Sequence, residues 1–137
     1  MSQKIGEDKI HEFRRSWEIK PDPLSKESPY HPINIEAYKN VPKKKIPDTE
    51  SLKDTYERVI KFYNEEIEEK LKSKNILISA HGNSIRALCK YLFKIDDNQI
   101  SKLEIPTANP LVIEFDNKEK IKSCKYLDGE RAKDLLV

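Results

Sequence analysis

Six of the eight prolines, Pro21, Pro23, Pro29, Pro32, Pro42 and Pro47, fall between Glu18 and Asp48. Each fixes its own φ, lacks a backbone N–H and disfavours helix in the residue before it, so neither a regular helix nor a central strand can run through this stretch. Regular structure is confined to a short segment before it and to the residues after it. A connection of this length without elements of its own is functional or disordered. At 137 residues the chain has the size of a single domain with a modest core. Residues 18–48 are therefore read as a long loop within one domain spanning 1–137.

Ahead of the loop, Ile10, Phe13 and Trp17 recur at helical spacing among charged residues and predict a short amphipathic helix. Behind it, Asp48-Thr49-Glu50-Ser51 offers capping side chains to a helix carrying Leu52, Tyr56, Val59, Tyr63, Ile67 and Leu71 on one face. Lys74-Asn75 breaks that pattern. Ile76-Leu77-Ile78 then has the continuous apolar character of a parallel strand covered on both faces, ending at His81-Gly82. Ile85, Leu88 and Leu92 return to helical spacing, and Asp96 and Asp97 can cap a further short helix as far as Leu103. Leu111–Phe115 and Ile121–Tyr126, around a turn at Asp116-Asn117-Lys118, predict a hairpin. The fold class is α/β.

Composition removes several function classes. The 26 Lys and Arg nearly balance the 24 Asp and Glu, and a net charge of +2 gives no field for holding nucleic acid or an anionic membrane. No apolar run approaches a membrane span, and the N-terminus lacks a signal-peptide pattern, so the chain is read as soluble and cytoplasmic. Cys89 and Cys124 have no metal-type spacing and are read as reduced thiols without a zinc site or disulfide.

The segment NILISAHGNSIR, ending at Arg86, holds the most chemistry. It places His81 at the carboxyl end of the predicted strand, where open α/β sheets bind ligands. Gly82 leaves room for close backbone approach, the following helix directs its N–H groups and dipole to the same place, and Asn83 adds a neutral donor. His81 could then hydrogen-bond or protonate a phosphoryl oxygen. An equally weighted reading has His81 merely ending a strand, with Gly82 as a turn and Asn83 or Ser84 as a cap. Arg14-Arg15 offers guanidinium forks suited to phosphate or carboxylate, although paired arginines on a surface helix are more often solvated. Lys43-Lys44-Lys45 reads as a solvated run, and His11 and His31 have no evident partner nearby in sequence.

Several of these segments, taken in order, resemble the cofactor-dependent phosphoglycerate mutases of the histidine phosphatase superfamily. Arg14-Arg15-Ser16-Trp17 is similar to the family's paired-arginine motif and PDTESLKDT, from Pro47, to the opening of its long helix. ISAHGNSIRAL, from Ile78, resembles its second histidine motif, and Glu104-Ile105-Pro106-Thr107 with Pro110-Leu111-Val112 follows its next loop and strand. The resemblance implies the C-terminal part of a three-layer αβα fold without its first central strand. It also implies interconversion of 2- and 3-phosphoglycerate through a phosphohistidine, with 2,3-bisphosphoglycerate as phosphoryl donor and no metal. His81 would stabilise the transferring phosphoryl group, and Arg14, Arg15, Gly82 and Asn83 would bind substrate.

The family's nucleophile lies in an Arg-His-Gly motif, and none of His11, His31 and His81 stands between arginine and glycine. A second phosphate-binding arginine and the proton-donating glutamate of the family also lie upstream of the matching region. The expectation is a shortened mutase, inactive alone, whose unpaired sheet edge invites self-association or pairing with an N-terminal segment. The competing expectation is a non-catalytic module that binds a phospho-ligand or a partner.

Overall fold

The computed structural model describes residues 6–132. Helix α1 (Glu7–Arg15) carries Glu7 and Asp8 in its first turn and Arg14 and Arg15 in its last, a charge order that complements the helix dipole. Helix α2 (Leu52–Phe62) starts at a reciprocal cap. The Ser51 hydroxyl accepts the Asp54 N–H at 3.2 Å, and the Asp54 carboxylate accepts the Ser51 N–H at 2.8 Å. The helix predicted to reach Leu71 does so through a wider π-helical turn (Tyr63–Ile67) into α3 (Glu68–Leu71). Helix α4 (Gly82–Phe93) packs along α2, and strands β1 (Leu111–Phe115) and β2 (Ile121–Tyr126) form the antiparallel hairpin the sequence predicts.

The core lies where α2, α4 and the turn after α4 meet, on Leu52, Ala87, Cys89, Ile95, Ile100 and Leu103. Each fully buried aliphatic side chain such as Ile100 contributes about 1.5–3 kcal/mol. Edge-on aromatic contacts extend this core outward: Trp17 to Tyr56 at 5.3 Å between centroids, Tyr56 to Tyr91 at 6.5 Å, and Tyr91 to Tyr63 at 5.7 Å. The Lys90 ammonium donates to the Ile95 carbonyl at 2.6 Å, pairs with Asp97 at 2.7 Å and sits 4.5 Å from the Trp17 ring centre. One lysine thus ties α4 to the residues flanking α1.

Two expectations are corrected. Residues 76–80, predicted as a buried strand, form no strand and pair with nothing among the described residues, with Leu77 92% exposed. A strand is stabilised by neighbouring backbone donors and acceptors, and among the described residues none lies alongside. Phe62, Leu77 and Ile78 stay exposed, and beside Ile78 an apolar cleft of about 370 Å³ opens between α2 and α4. The helix predicted over 96–103 is a single 3₁₀ turn (Ile100–Lys102), because the Asp96 carboxylate takes the N–H groups of Asn98 and Gln99, both at 2.8 Å, and Pro106 follows shortly. The proline-rich loop folds back on the start of α2. Leu24 N–H donates to the Asp48 carbonyl at 3.0 Å and the Thr49 hydroxyl to the Pro21 carbonyl at 2.6 Å.

His31, for which the sequence suggests no partner, holds that loop together. It is fully buried; its Nδ1 accepts the Ile33 N–H at 3.1 Å and its Nε2 donates to the Asp48 carboxylate at 3.1 Å. The partner lies 17 residues away. Sequence proximity could not reveal it.

Candidate functional site

Chain geometry makes His81 the N-cap of α4. Its backbone is extended (φ −62°, ψ 145°), and its carbonyl accepts the N–H groups of Ser84 at 2.9 Å and Ile85 at 3.2 Å. Its imidazole takes the part usually played by serine or aspartate, with Nδ1 accepting the Asn83 N–H at 3.3 Å. A neutral ring whose Nδ1 accepts must carry its proton on Nε2. The ring is exposed, and among the described residues Nε2 bonds to nothing. A hydrogen-bond donor is therefore presented outward at the positive end of a 12-residue helix. Apart from its chain neighbours and its own helix backbone, no atom lies within 4 Å of the place a Cβ would occupy on Gly82, so the approach to its backbone is open.

The second part of the site comes from α1. Arg14 is exposed, whereas Arg15 is half-buried and pairs with Glu104 at 2.7 Å. Between α1 and α4 stands Arg86, 2% exposed. Its guanidinium donates to the carbonyls of Arg14 at 3.1 Å, Arg15 at 3.3 Å and Ile100 at 2.5 Å, and to Asn83 Oδ1 at 3.2 Å. Burial lowers its pKa, and the Arg15 charge adds to that effect while Glu104 opposes it. The structure brings Arg14, Arg15 and Asn83 together on this one side chain, with His81 two residues before Asn83. No hydrogen bond or ion pair among the described residues joins His81 to either α1 arginine.

The other candidates lie elsewhere. His11 is exposed on α1, His31 is engaged in the loop, and Lys43–Lys45 form an exposed 3₁₀ turn. Burial pushes the Cys89 thiol up to about 12, with a smaller contribution from Cys124, so it is not a nucleophile at neutral pH. Both cysteines are free. Among the described residues no group of three metal-ligating side chains occurs, and no helix is long and apolar enough to cross a membrane. Arg86 is the residue that sequence reasoning passed over. A single cation among Ile85, Ala87, Leu88 and Cys89 was the available signal, because a charge on a core-facing stripe needs a reason to be there.

Comparison with known proteins gives a concordant result. The model of the histidine phosphatase superfamily (branch 1) matches residues 14–125. Three relatives each carry the name 2,3-bisphosphoglycerate-dependent phosphoglycerate mutase. That of Pelagibacter ubique (strain HTCC1062) is 70% identical, with 100% of this chain and 58% of the relative covered. That of Maricaulis maris (strain MCS10) is 40% identical, covering 96% of this chain and 55% of the relative. That of Parabacteroides distasonis is 44% identical, covering 98% and 55%. The chain thus spans little more than half the length of these relatives.

Proposed function

The chain belongs to branch 1 of the histidine phosphatase superfamily, and on that premise we propose that it supplies the second-histidine side of a phosphoglycerate mutase site. The observation that carries this reading is the exposed His81 with its free Nε2–H at the start of α4, next in sequence to Gly82, whose Cβ side is open. There a phosphoryl oxygen meets a neutral donor and the dipole of α4, which stabilise charge best as it develops on that oxygen. Asn83 and Arg14 add further donors. Arg15 adds another once it leaves Glu104, an exposed partner that costs little to give up.

This donor-rich set fits an anion of the phosphoglycerate type. In the named relatives 2,3-bisphosphoglycerate is the required compound, and here it would supply the phosphoryl group. These residues would bind and orient it, with the Nε2 proton of His81 held toward the phosphoryl oxygen. The reading extends to a cytoplasmic setting, where phosphoglycerates occur, and to a partner strand that covers residues 76–80. That partner would be a second copy or a segment bearing the nucleophile. The 137 residues contain no histidine between arginine and glycine, so alone they bind phosphoglycerate without turning it over.

The test incubates the chain with 3-phosphoglycerate and 2,3-bisphosphoglycerate, alone and with a separately expressed polypeptide matching the rest of the Pelagibacter ubique relative. Formation of 2-phosphoglycerate only in the mixture, and its loss in His81→Ala, is the expected result. Turnover or acid-labile histidine phosphate in the chain alone overturns its inactivity. Failure of both chain and mixture to bind 3-phosphoglycerate overturns the mutase reading.

A further inference from the structure

We infer that Arg86 is a positioning residue that turns the Asn83 amide donors and the Arg14–Arg15 backbone toward the ligand, a role that rests on the anion-binding reading of this site. Among the described residues its guanidinium pairs with no carboxylate. It is spent instead on three main-chain carbonyls and one side-chain amide oxygen, from elements up to 72 residues apart.

Two consequences follow from what it touches. The carbonyls of Arg14 and Arg15 lie at the C-terminal end of α1, where they have no intrahelical partner, so a buried donor there fixes both where α1 stops and the direction in which Arg14 leaves it. Because Asn83 Oδ1 accepts from Arg86 at 3.2 Å, the Nδ2 group of the same amide is turned away from the guanidinium and left to donate elsewhere. Without Arg86 the amide can rotate and present an acceptor to an anion.

Arginine is required by the geometry. Its two terminal nitrogens divide four acceptors between them, NH1 serving Arg14 and Asn83 and NH2 serving Arg15 and Ile100. A lysine ammonium has three donors at one point and cannot span that set. The arrangement also leaves the buried Nε of Arg86 without a partner among the described residues, a cost that packing alone would avoid.

The experiment compares wild type with Arg86→Lys and Arg86→Met by two readouts on folded protein, checked by circular dichroism. One is the pair of Asn83 side-chain amide proton resonances; the other is affinity for 3-phosphoglycerate. Arg86→Lys is expected to shift both amide proton resonances toward those of a solvent-exposed asparagine, as the side chain is freed to rotate about Cβ–Cγ, and to weaken binding roughly tenfold. Asn83→Ala should cost a similar factor in wild type and less than about twofold in the Arg86→Lys background, whereas a merely structural Arg86 leaves the two losses multiplicative. Unchanged amide resonances in both Arg86 variants, or multiplicative losses, overturn the inference. A wild-type chain that binds no 3-phosphoglycerate while its Asn83 resonances still respond to Arg86→Lys overturns the functional reading and leaves the orientation of Asn83 standing.

Discussion

His31 and His81 make the same local hydrogen bond and live in opposite circumstances. In each, Nδ1 accepts the N–H two residues on and the imidazole starts a helical turn. What separates them is the other nitrogen. In the proline-rich loop, Nε2 of His31 is buried and donates to Asp48; at the start of α4, Nε2 of His81 faces solvent. The loop histidine has exhausted its hydrogen-bonding capacity on structure, whereas the helix histidine has used one side to fix its tautomer and, among the described residues, leaves the other unengaged. Neighbours in sequence do not separate the two, because the deciding group lies on the far side of the ring, and for His31 its partner is 17 residues away.

The sharpest way to break this comparison is His31→Ala. It leaves a cavity, strands the Ile33 N–H and removes the buried partner of the Asp48 carboxylate, so urea unfolding should show a loss of about 2–4 kcal/mol. A loss below about 0.5 kcal/mol would mean that the loop does not depend on its histidine. His81→Asn asks the converse question. Asparagine also caps helices, so stability should stay within about 0.5 kcal/mol of wild type while 3-phosphoglycerate binding falls roughly tenfold. If stability falls and binding holds, the assigned roles are reversed.

The caps of α2 and α4 extend the contrast to ionisation. The α2 cap depends on a carboxylate, and hydrogen bonds from Lys20, then from the Ser51 hydroxyl and N–H, hold the Asp54 pKa down to about 2. A folded-state pKa below the unfolded one gives stability that is fully present above the unfolded value of about 4 and is lost as pH falls through about 2. Ser51→Ala should remove about 1 kcal/mol at neutral pH and flatten the acid limb of the stability profile between those two values. An unaltered acid limb would show that the Asp54 shift does not depend on Ser51.

Much of the architecture was legible because it is local. The facing positions from Leu52 to Leu71, the cap at Ser51 and the hairpin at Asp116 are each decided within a few residues. His81, Gly82 and Asn83 could be singled out as candidates for the same reason. The apolar run at Ile76 was misread because its composition reports only what would cover a strand; pairing depends on a neighbour that the segment does not encode. His31 and Arg86 were passed over because their partners lie 17 and up to 72 residues away, in contacts that exist only after the chain has folded.

The smallest expected effect sharpens the comparison most finely, because it concerns a donor half-way between the two histidines in availability. Arg15 is neither sealed like His31 nor open like His81: it is paired with the carboxylate of Glu104, whose side chain is 74% exposed. A carboxylate 2.7 Å from that guanidinium occupies the place where a ligand anion would bind. An exposed pair of this kind contributes about 0–1 kcal/mol, so Glu104→Gln should leave the unfolding midpoint nearly unchanged. By the same magnitude it should tighten 3-phosphoglycerate binding by up to about fivefold, with the gain vanishing at high salt and in Arg15→Ala. Weaker binding in Glu104→Gln would mean that the carboxylate steadies Arg15 for the ligand instead of competing with it.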